Sequence, residues 1–281
     1  MPDRRTALAV AAAVGAARRY GVPADAPDVL ADRSNVLVRL GNVVARVPAT
    51  TALARPDAAD WLARDVSLAS FLARRGAPVV APTEDPPAGP HLVAGLPVTF
   101  WRYVRHDPAA IPAPGEVARS LAEIHEAARD YPGPLPGDGP VAELYRLLDL
   151  VTRDLGDAAP RLRADADRIA AEIAAAPGPR QVLHGDAHPG NLLATADGWR
   201  WIDFEDTWRG PLAWDLAVLS RTDRLDGAAA VAAYPGAPDA GALAPFVALR
   251  ALFGVCWRFV IARRTPARLG EARAALAGYL R

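Results

Sequence analysis

Lysine is absent from the chain, and arginine supplies every fixed positive charge. Any site that ordinarily needs a lysine must therefore work with a guanidinium. The 32 basic residues equal the 32 acidic ones, so no net field draws the protein to nucleic acid or to an anionic membrane surface. The single cysteine, Cys256, lies in the apolar run Leu252-Phe253-Gly254-Val255-Cys256, which excludes an intramolecular disulfide and makes the cytoplasm the expected compartment. No run of some 18 strongly apolar residues stands out, so a membrane span is not expected. With only five histidines and three asparagines, any cluster of these types carries information.

At 281 residues the chain can form one large or two modest domains, each with its own core. Arg4-Arg5 followed by alanines up to Ala17 reads as a surface helix. Val36–Leu40 and Val43–Val47 are β-rich runs around Gly41-Asn42, a two-residue hairpin signal. Residues 57–75 read as a helix with Trp61, Asp65, Leu68 and Leu72 on one face, which sets an acid on the apolar stripe. A Pro/Gly-rich stretch from Gly76 to Pro97 leads into an aromatic strand over 98–104. Helical patterns follow near 115–129, 141–155 and 160–176. The expected division is an N-terminal lobe over 1–103 and a C-terminal lobe over 104–281.

The chemistry concentrates in Val182-Leu183-His184-Gly185-Asp186-Ala187-His188-Pro189-Gly190-Asn191, whose skeleton is H-x-D-x-x-x-x-N. Two short apolar strands, 192–194 and 199–202, follow, joined around Asp197-Gly198, and the hairpin ends at Asp203-Phe204. Phosphoryl transfer needs a carboxylate to accept the acceptor's hydroxyl proton and hard oxygen ligands to hold Mg²⁺ against phosphates. Asp186 suits the first task; Asn191, with Asp203 returned by the hairpin, suits the second. His184 alone reads as a hydrogen-bonded loop residue, and the role of His188 is open.

His184-Gly185-Asp186 through Asn191, then Ile202-Asp203-Phe204-Glu205, then Gly210-Pro211-Leu212-Ala213-Trp214-Asp215 resembles the aminoglycoside phosphotransferase and choline kinase superfamily. The resemblance implies an α+β, two-lobed protein-kinase-like fold, with a small antiparallel-sheet N-lobe and a mainly helical C-lobe. It implies Asp186 as base, Asn191 and Asp203 as Mg²⁺ ligands, Asp215 as a structural acid bracing the catalytic loop, and ATP or GTP as donor. Such kinases place a lysine on an N-lobe strand, paired with a helix glutamate, to hold the phosphates. Arg46 and Asp65 stand at those positions, a longer base with a shorter acid. A turn at Ser34-Asn35 would cover the phosphates, and the strand carrying Trp101 and Tyr103 would be the hinge that meets the adenine.

From residue 241 onward, Glu271 is the one acid against seven arginines, with Arg250, Trp257 and Arg258 close to one helical face. Asp107, Glu205 and Asp206 could offset that balance, and His188 joins the expected acceptor-binding set. The acceptor expected is a neutral or anionic hydroxylated small molecule rather than a polyamine. The rival reading is a nucleotide-binding pseudokinase, kept alive by the missing lysine. A two-metal phosphoesterase is set aside because no histidine follows His188. Oligomeric state is left open.

Overall fold

The computed structural model describes residues 4–176 and 178–281. In chain order the elements are α1 (Arg4–Arg19), β1 (Asp28–Asp32), β2 (Asn35–Leu40), β3 (Val43–Pro48), α2 (Thr51–Ala54), α3 (Ala58–Arg74), β4 (His91–Val93), β5 (Leu96–Arg102) and β6 (His106–Asp107). Helices α4 (Pro114–Ala128), α5 (Gly139–Leu155) and α6 (Ala159–Ala175) follow. Next come β7 (Arg180–Val182), β8 (Leu192–Thr195), β9 (Gly198–Trp201) and β10 (Arg209–Pro211). The chain closes with α7 (Ala213–Ser220), α8 (Gly227–Ala232), α9 (Ala240–Arg264) and α10 (Leu269–Leu280). They form two compact units: Met1–Ala110 with Tyr131–Gly133 and Leu192–Glu205, and Ile111–Asp130 with Pro134–Asn191 and Asp206–Arg281.

The first unit is built on a five-stranded sheet of order β1-β2-β3-β5-β4, antiparallel at every pairing. Period-2 alternation gives β3 two functions. Val43, Ala45 and Val47 enter a core with the alanines of α1, whereas Arg46, between Leu37 and Thr99 in the sheet, points to the opposite face. Ala9, Ala13, Ala16 and Ala17 are buried on α1, and their small side chains let the helix lie close to the sheet. Trp61, Leu62, Asp65, Leu68, Ala69 and Leu72 are the buried face of α3, so the acid on the apolar stripe is indeed inside. A smaller sheet, β6-β8-β9, completes this unit. The β8–β9 turn is centred on Ala196 and Asp197, because Thr195 pairs with Gly198; the glycine, at φ 96°, opens the return strand.

In the second unit α9 packs against α5, α6, α7 and α10. Leu243, Phe246, Leu249, Leu252, Phe253, Val255, Cys256, Phe259, Val260 and Ala262 are its buried residues. This corrects the expectation that no long apolar run exists: α9 has an 18-residue window of mean hydropathy 1.6, long and apolar enough by length and composition to cross a membrane. No other helix among the described residues passes that test. Pro211 ends β10, and α7 begins two residues later.

Candidate active site

In the first unit, β3 and α3 bring Arg46 and Asp65 together. Arg46 Nη1 donates to Asp65 Oδ2 at 2.7 Å, and Nη2 reaches Asp203 Oδ1 at 2.5 Å and Glu205 Oε2 at 2.8 Å. The Asn35 amide lies beside the same guanidinium; assigned with its oxygen toward Arg46, it accepts from Nε at 3.1 Å and Nη2 at 2.7 Å. Arg55 adds a second cation, donating to Glu205 Oε1 at 3.2 Å while its guanidinium lies 3.7 Å from the centre of the Trp61 ring. Two guanidiniums thus face three carboxylates. Burial opposes the charge of Arg46, but Asp203, Glu205 and Asp65 together hold its pKa above the usual range. Burial also raises Asp65 and Glu205 above the usual carboxylate range, with Arg46 opposing the shift in both.

Asp65 performs a second task. Its Oδ1 accepts from the backbone N–H of Phe204 at 2.9 Å, the residue after Asp203. Asp203 itself has φ 71°, in the left-handed region that costs a non-glycine residue energy. One buried carboxylate therefore ties the strained corner at Asp203 to the guanidinium on β3.

In the second unit, Asp215 on α7 holds the loop that presents Asp186. Its Oδ2 accepts from the His184 N–H at 2.7 Å and its Oδ1 from the Gly185 N–H at 2.9 Å. His125 Nε2 lies 2.9 Å from Asp215 Oδ2, and its Nδ1 lies 2.8 Å from the Tyr234 hydroxyl. Gly185 is required here: at φ 92°, a Cβ would fall 1.9 Å from the Asp206 carbonyl oxygen. Trp214 Nε1 donates to the Gly185 carbonyl at 2.7 Å, fixing the same turn from a second side.

Asp186 is therefore displayed on a backbone with little freedom. Asn191 Nδ2 donates to its carbonyl at 2.9 Å and approaches Oδ2 at 3.3 Å. His188 Nδ1 accepts from the Gly190 N–H at 3.0 Å, which leaves Nε2 carrying the proton toward Asp186 Oδ2 at 3.2 Å. Arg250 Nη2 donates to Oδ1 at 2.7 Å. Burial acts to raise the Asp186 pKa, but Arg250 and His188 outweigh it and hold the carboxyl well below the usual range.

The remaining sequence-predicted residues are dispersed. Ser34 offers its carbonyl to the N–H groups of Ala49 and Thr51, at 3.1 and 3.0 Å. Trp101 is buried and donates to Thr99 Oγ1 at 3.0 Å. The backbone N–H of Tyr103 already bonds to the Asn42 carbonyl at 2.9 Å, which removes it as a donor to adenine. Asp107 is exposed and caps the Ala109 N–H at 2.9 Å. Trp257 stacks with Phe253, centroids 6.2 Å apart, and Arg258 is exposed beside the Gly254 carbonyl. Glu205, expected near the acceptor, is instead buried and engaged by Arg46 and Arg55, a correction that follows from the cost of leaving two buried guanidiniums with too few acids. Sequence reading missed Asn35 as an Arg46 partner, Arg55, and the Asp215–His125–Tyr234 chain.

This combination of an antiparallel sheet with a buried strand arginine, a braced H-x-D-x-x-x-x-N loop and a mainly helical second unit defines a kinase-like phosphotransferase. The chain belongs to the phosphotransferase enzyme family, whose family model matches residues 25–246. It is an ATP-dependent phosphotransferase with an alcohol group as acceptor, a small-molecule kinase. No curated protein sequence matches the chain. Its fold is that of the GDP and kanamycin complex of APH(2")-IIia, at 17% identity over 91% of this chain and 93% of that one, with a TM-score of 0.66. A choline/ethanolamine kinase family protein from Mesorhizobium loti is similar at 17% identity over 97% and 95% of the two chains, TM-score 0.59. Choline kinase LicA from Streptococcus pneumoniae is similar at 16% identity over 90% and 94%, TM-score 0.60.

Proposed function

We propose that this enzyme transfers the γ-phosphoryl group of ATP to a hydroxyl of an antibiotic-like or other small natural product, with Asp186 as base and Asn191 and Asp203 as Mg²⁺ ligands. The acceptor oxygen forms a bond to the γ-phosphorus, the bond from that phosphorus to the bridging oxygen breaks to release ADP, and the acceptor's proton passes to the Asp186 carboxylate. The observation that carries the reading is the bracing of Asp186: Asp215 grips the two preceding N–H groups and Asn191 grips its carbonyl. A base held so firmly loses little entropy when the acceptor arrives.

The donor set suits Mg²⁺. Asn191 engages Asp186 through its amide nitrogen, which leaves its amide oxygen as a ligand. The Asp203 carboxylate is 31% exposed, and Arg46 bonds only its Oδ1. Both are hard oxygens. No cluster of three or more His, Cys, Asp or Glu able to hold a metal occurs among the described residues. Mg²⁺ is commonly held by one or two side chains plus phosphates and water. When bound, the ion would supply charge neutralisation between phosphates.

The nucleotide side falls to the first unit, with Arg46 on β3, and the lobe division at 103/104 belongs to the same proposal. A cytoplasmic location belongs to the same proposal, and the lone buried thiol of Cys256 supports it. A second reading, a nucleotide-binding pseudokinase, draws on the engagement of Arg46 by three acids, which leaves it few donors for phosphates. The test is ADP formation with Mg²⁺ across hydroxylated antibiotics, nucleosides and small alcohols, in the wild type and Asp186→Ala. Acceptor-dependent turnover that falls about a hundredfold or more in the variant is expected for loss of a positioned base. Nucleotide binding without transfer to any acceptor, equal in both proteins, would favour the pseudokinase.

A further inference from the structure

We infer that Arg250 selects the acceptor: it takes a carboxylate borne by the substrate, so the preferred substrates are hydroxy acids, and the Asp186 carboxylate holds that place until one arrives. The inference rests on the proposed role of Asp186 as base and narrows the acceptor class for the same site.

Three observations carry it. First, Arg250 uses one donor. Its Nη2 bonds Asp186 Oδ1 at 2.7 Å, no other hydrogen bond or ion pair joins it among the described residues, and yet its side chain is only 27% exposed. A guanidinium has five N–H donors in a fixed fork that matches a carboxylate, so Arg250 retains unmet capacity for an oxyanion.

Second, the partner it holds is the group needed for proton transfer. An acceptor whose own carboxylate satisfies Arg250 releases Asp186 Oδ1, whereas a neutral acceptor leaves the base engaged. A cationic acceptor would face the guanidinium directly, at a cost.

Third, the surroundings favour an anion with an apolar body. Within this unit His188 lies against the other oxygen of Asp186, and a Cβ added at Gly190 would come within 3.4 Å of the Arg224 guanidinium. Arg224 is exposed and makes no ion pair with an acid among the described residues. Along α9, Arg250, Phe253, Gly254 and Trp257 follow at i, i+3, i+4 and i+7, so they share one face. The Phe253 and Trp257 rings are stacked within 19° of parallel, and at Gly254 a Cβ would meet only Arg258 Nη1, at 3.5 Å. Phe253 is buried and backs the half-buried Trp257, so the strip next to Arg250 offers the Trp257 ring and the open space at Gly254 to the body of a hydroxy acid.

The test uses matched acceptors: aliphatic, sugar-derived and aromatic hydroxy acids, each paired with its primary amide, assayed for ATP-dependent phosphorylation by the wild type, Arg250→Ala and Arg250→Lys. In the wild type the acid should exceed its amide in kcat/KM by roughly tenfold or more, the scale of one hydrogen bond between charged groups. That ratio should collapse to about one in Arg250→Ala and return in part in Arg250→Lys, which keeps the charge without the fork. A merely structural role would lower acid and amide together and leave the ratio standing, which would overturn the inference. Equal or better use of the amides by the wild type would overturn it too, as would failure to phosphorylate any acid in the panel. If other alcohols are still phosphorylated in an Asp186-dependent manner, the kinase reading survives that failure.

Discussion

The two units solve opposite electrostatic problems. In the first, a guanidinium is enclosed by carboxylates: Arg46, with a side chain 6% exposed, contacts Asp65, Asp203 and Glu205. In the second, a carboxylate is enclosed by donors: Asp186, 21% exposed, contacts Arg250, His188 and Asn191. Depth determines what each arrangement can do. A buried charge with several partners is a structural fixture, because removing it strands the others in a medium that solvates them poorly. A partly exposed pair can exchange partners with a ligand at smaller cost, because water and substrate both reach it. Under the proposed function the phosphate-facing chemistry falls to the rigid cluster, and with the role inferred for Arg250 acceptor choice falls to the exchangeable one.

Four substitutions sharpen or break this contrast. Arg46→Met should have the largest effect on stability, about 3–5 kcal/mol, because three carboxylates lose their common cation. Urea unfolding followed by circular dichroism reads it, and a loss below about 1 kcal/mol would show that the cluster is not the fixture described. Gly185→Ala comes next: relieving a 1.9 Å approach to the Asp206 carbonyl oxygen at φ 92° should cost about 1–3 kcal/mol and lower kcat in the protein that still folds. Asp239→Ala, which removes the side-chain acceptor for the Ala242 N–H at the start of α9, should cost about 1 kcal/mol in the same unfolding assay. Arg250→Met should cost least, about half a kcal/mol, despite deleting an ion pair of the same 2.7 Å length as Arg46–Asp65. If Arg250→Met proved as damaging as Arg46→Met, the distinction between fixed and exchangeable pairs would fail.

Much of this was legible in the chain because the signals are local. Gly41-Asn42 places the β2–β3 hairpin, the period of α3 places Asp65 inside, and five-residue spacing places Asn191 against Asp186. The rest depends on residues distant in sequence. Glu205 meets Arg55 across 150 positions, Asp65 meets the Phe204 N–H across 139, and Arg250 meets Asp186 across 64. No periodicity predicts such pairings; burial and charge balance create them after the elements dock. Strand β1 was missed because Asp28–Asp32 is mostly exposed and shows no apolar alternation. The bond of the Tyr103 N–H to the Asn42 carbonyl joins residues 61 positions apart, so the hinge pattern of the strand does not reveal it.

The central claim is that Asp186 accepts a proton as a phosphoryl group moves from nucleotide to alcohol. Phosphorus NMR of ATP, Mg²⁺ and an accepted hydroxyl compound tests it most directly, with the wild type and Asp186→Ala side by side. The account predicts a growing phosphate-ester resonance matched by loss of the γ-phosphate signal, slowed about a hundredfold or more by the substitution. An ester that forms at the same rate in both proteins would contradict it.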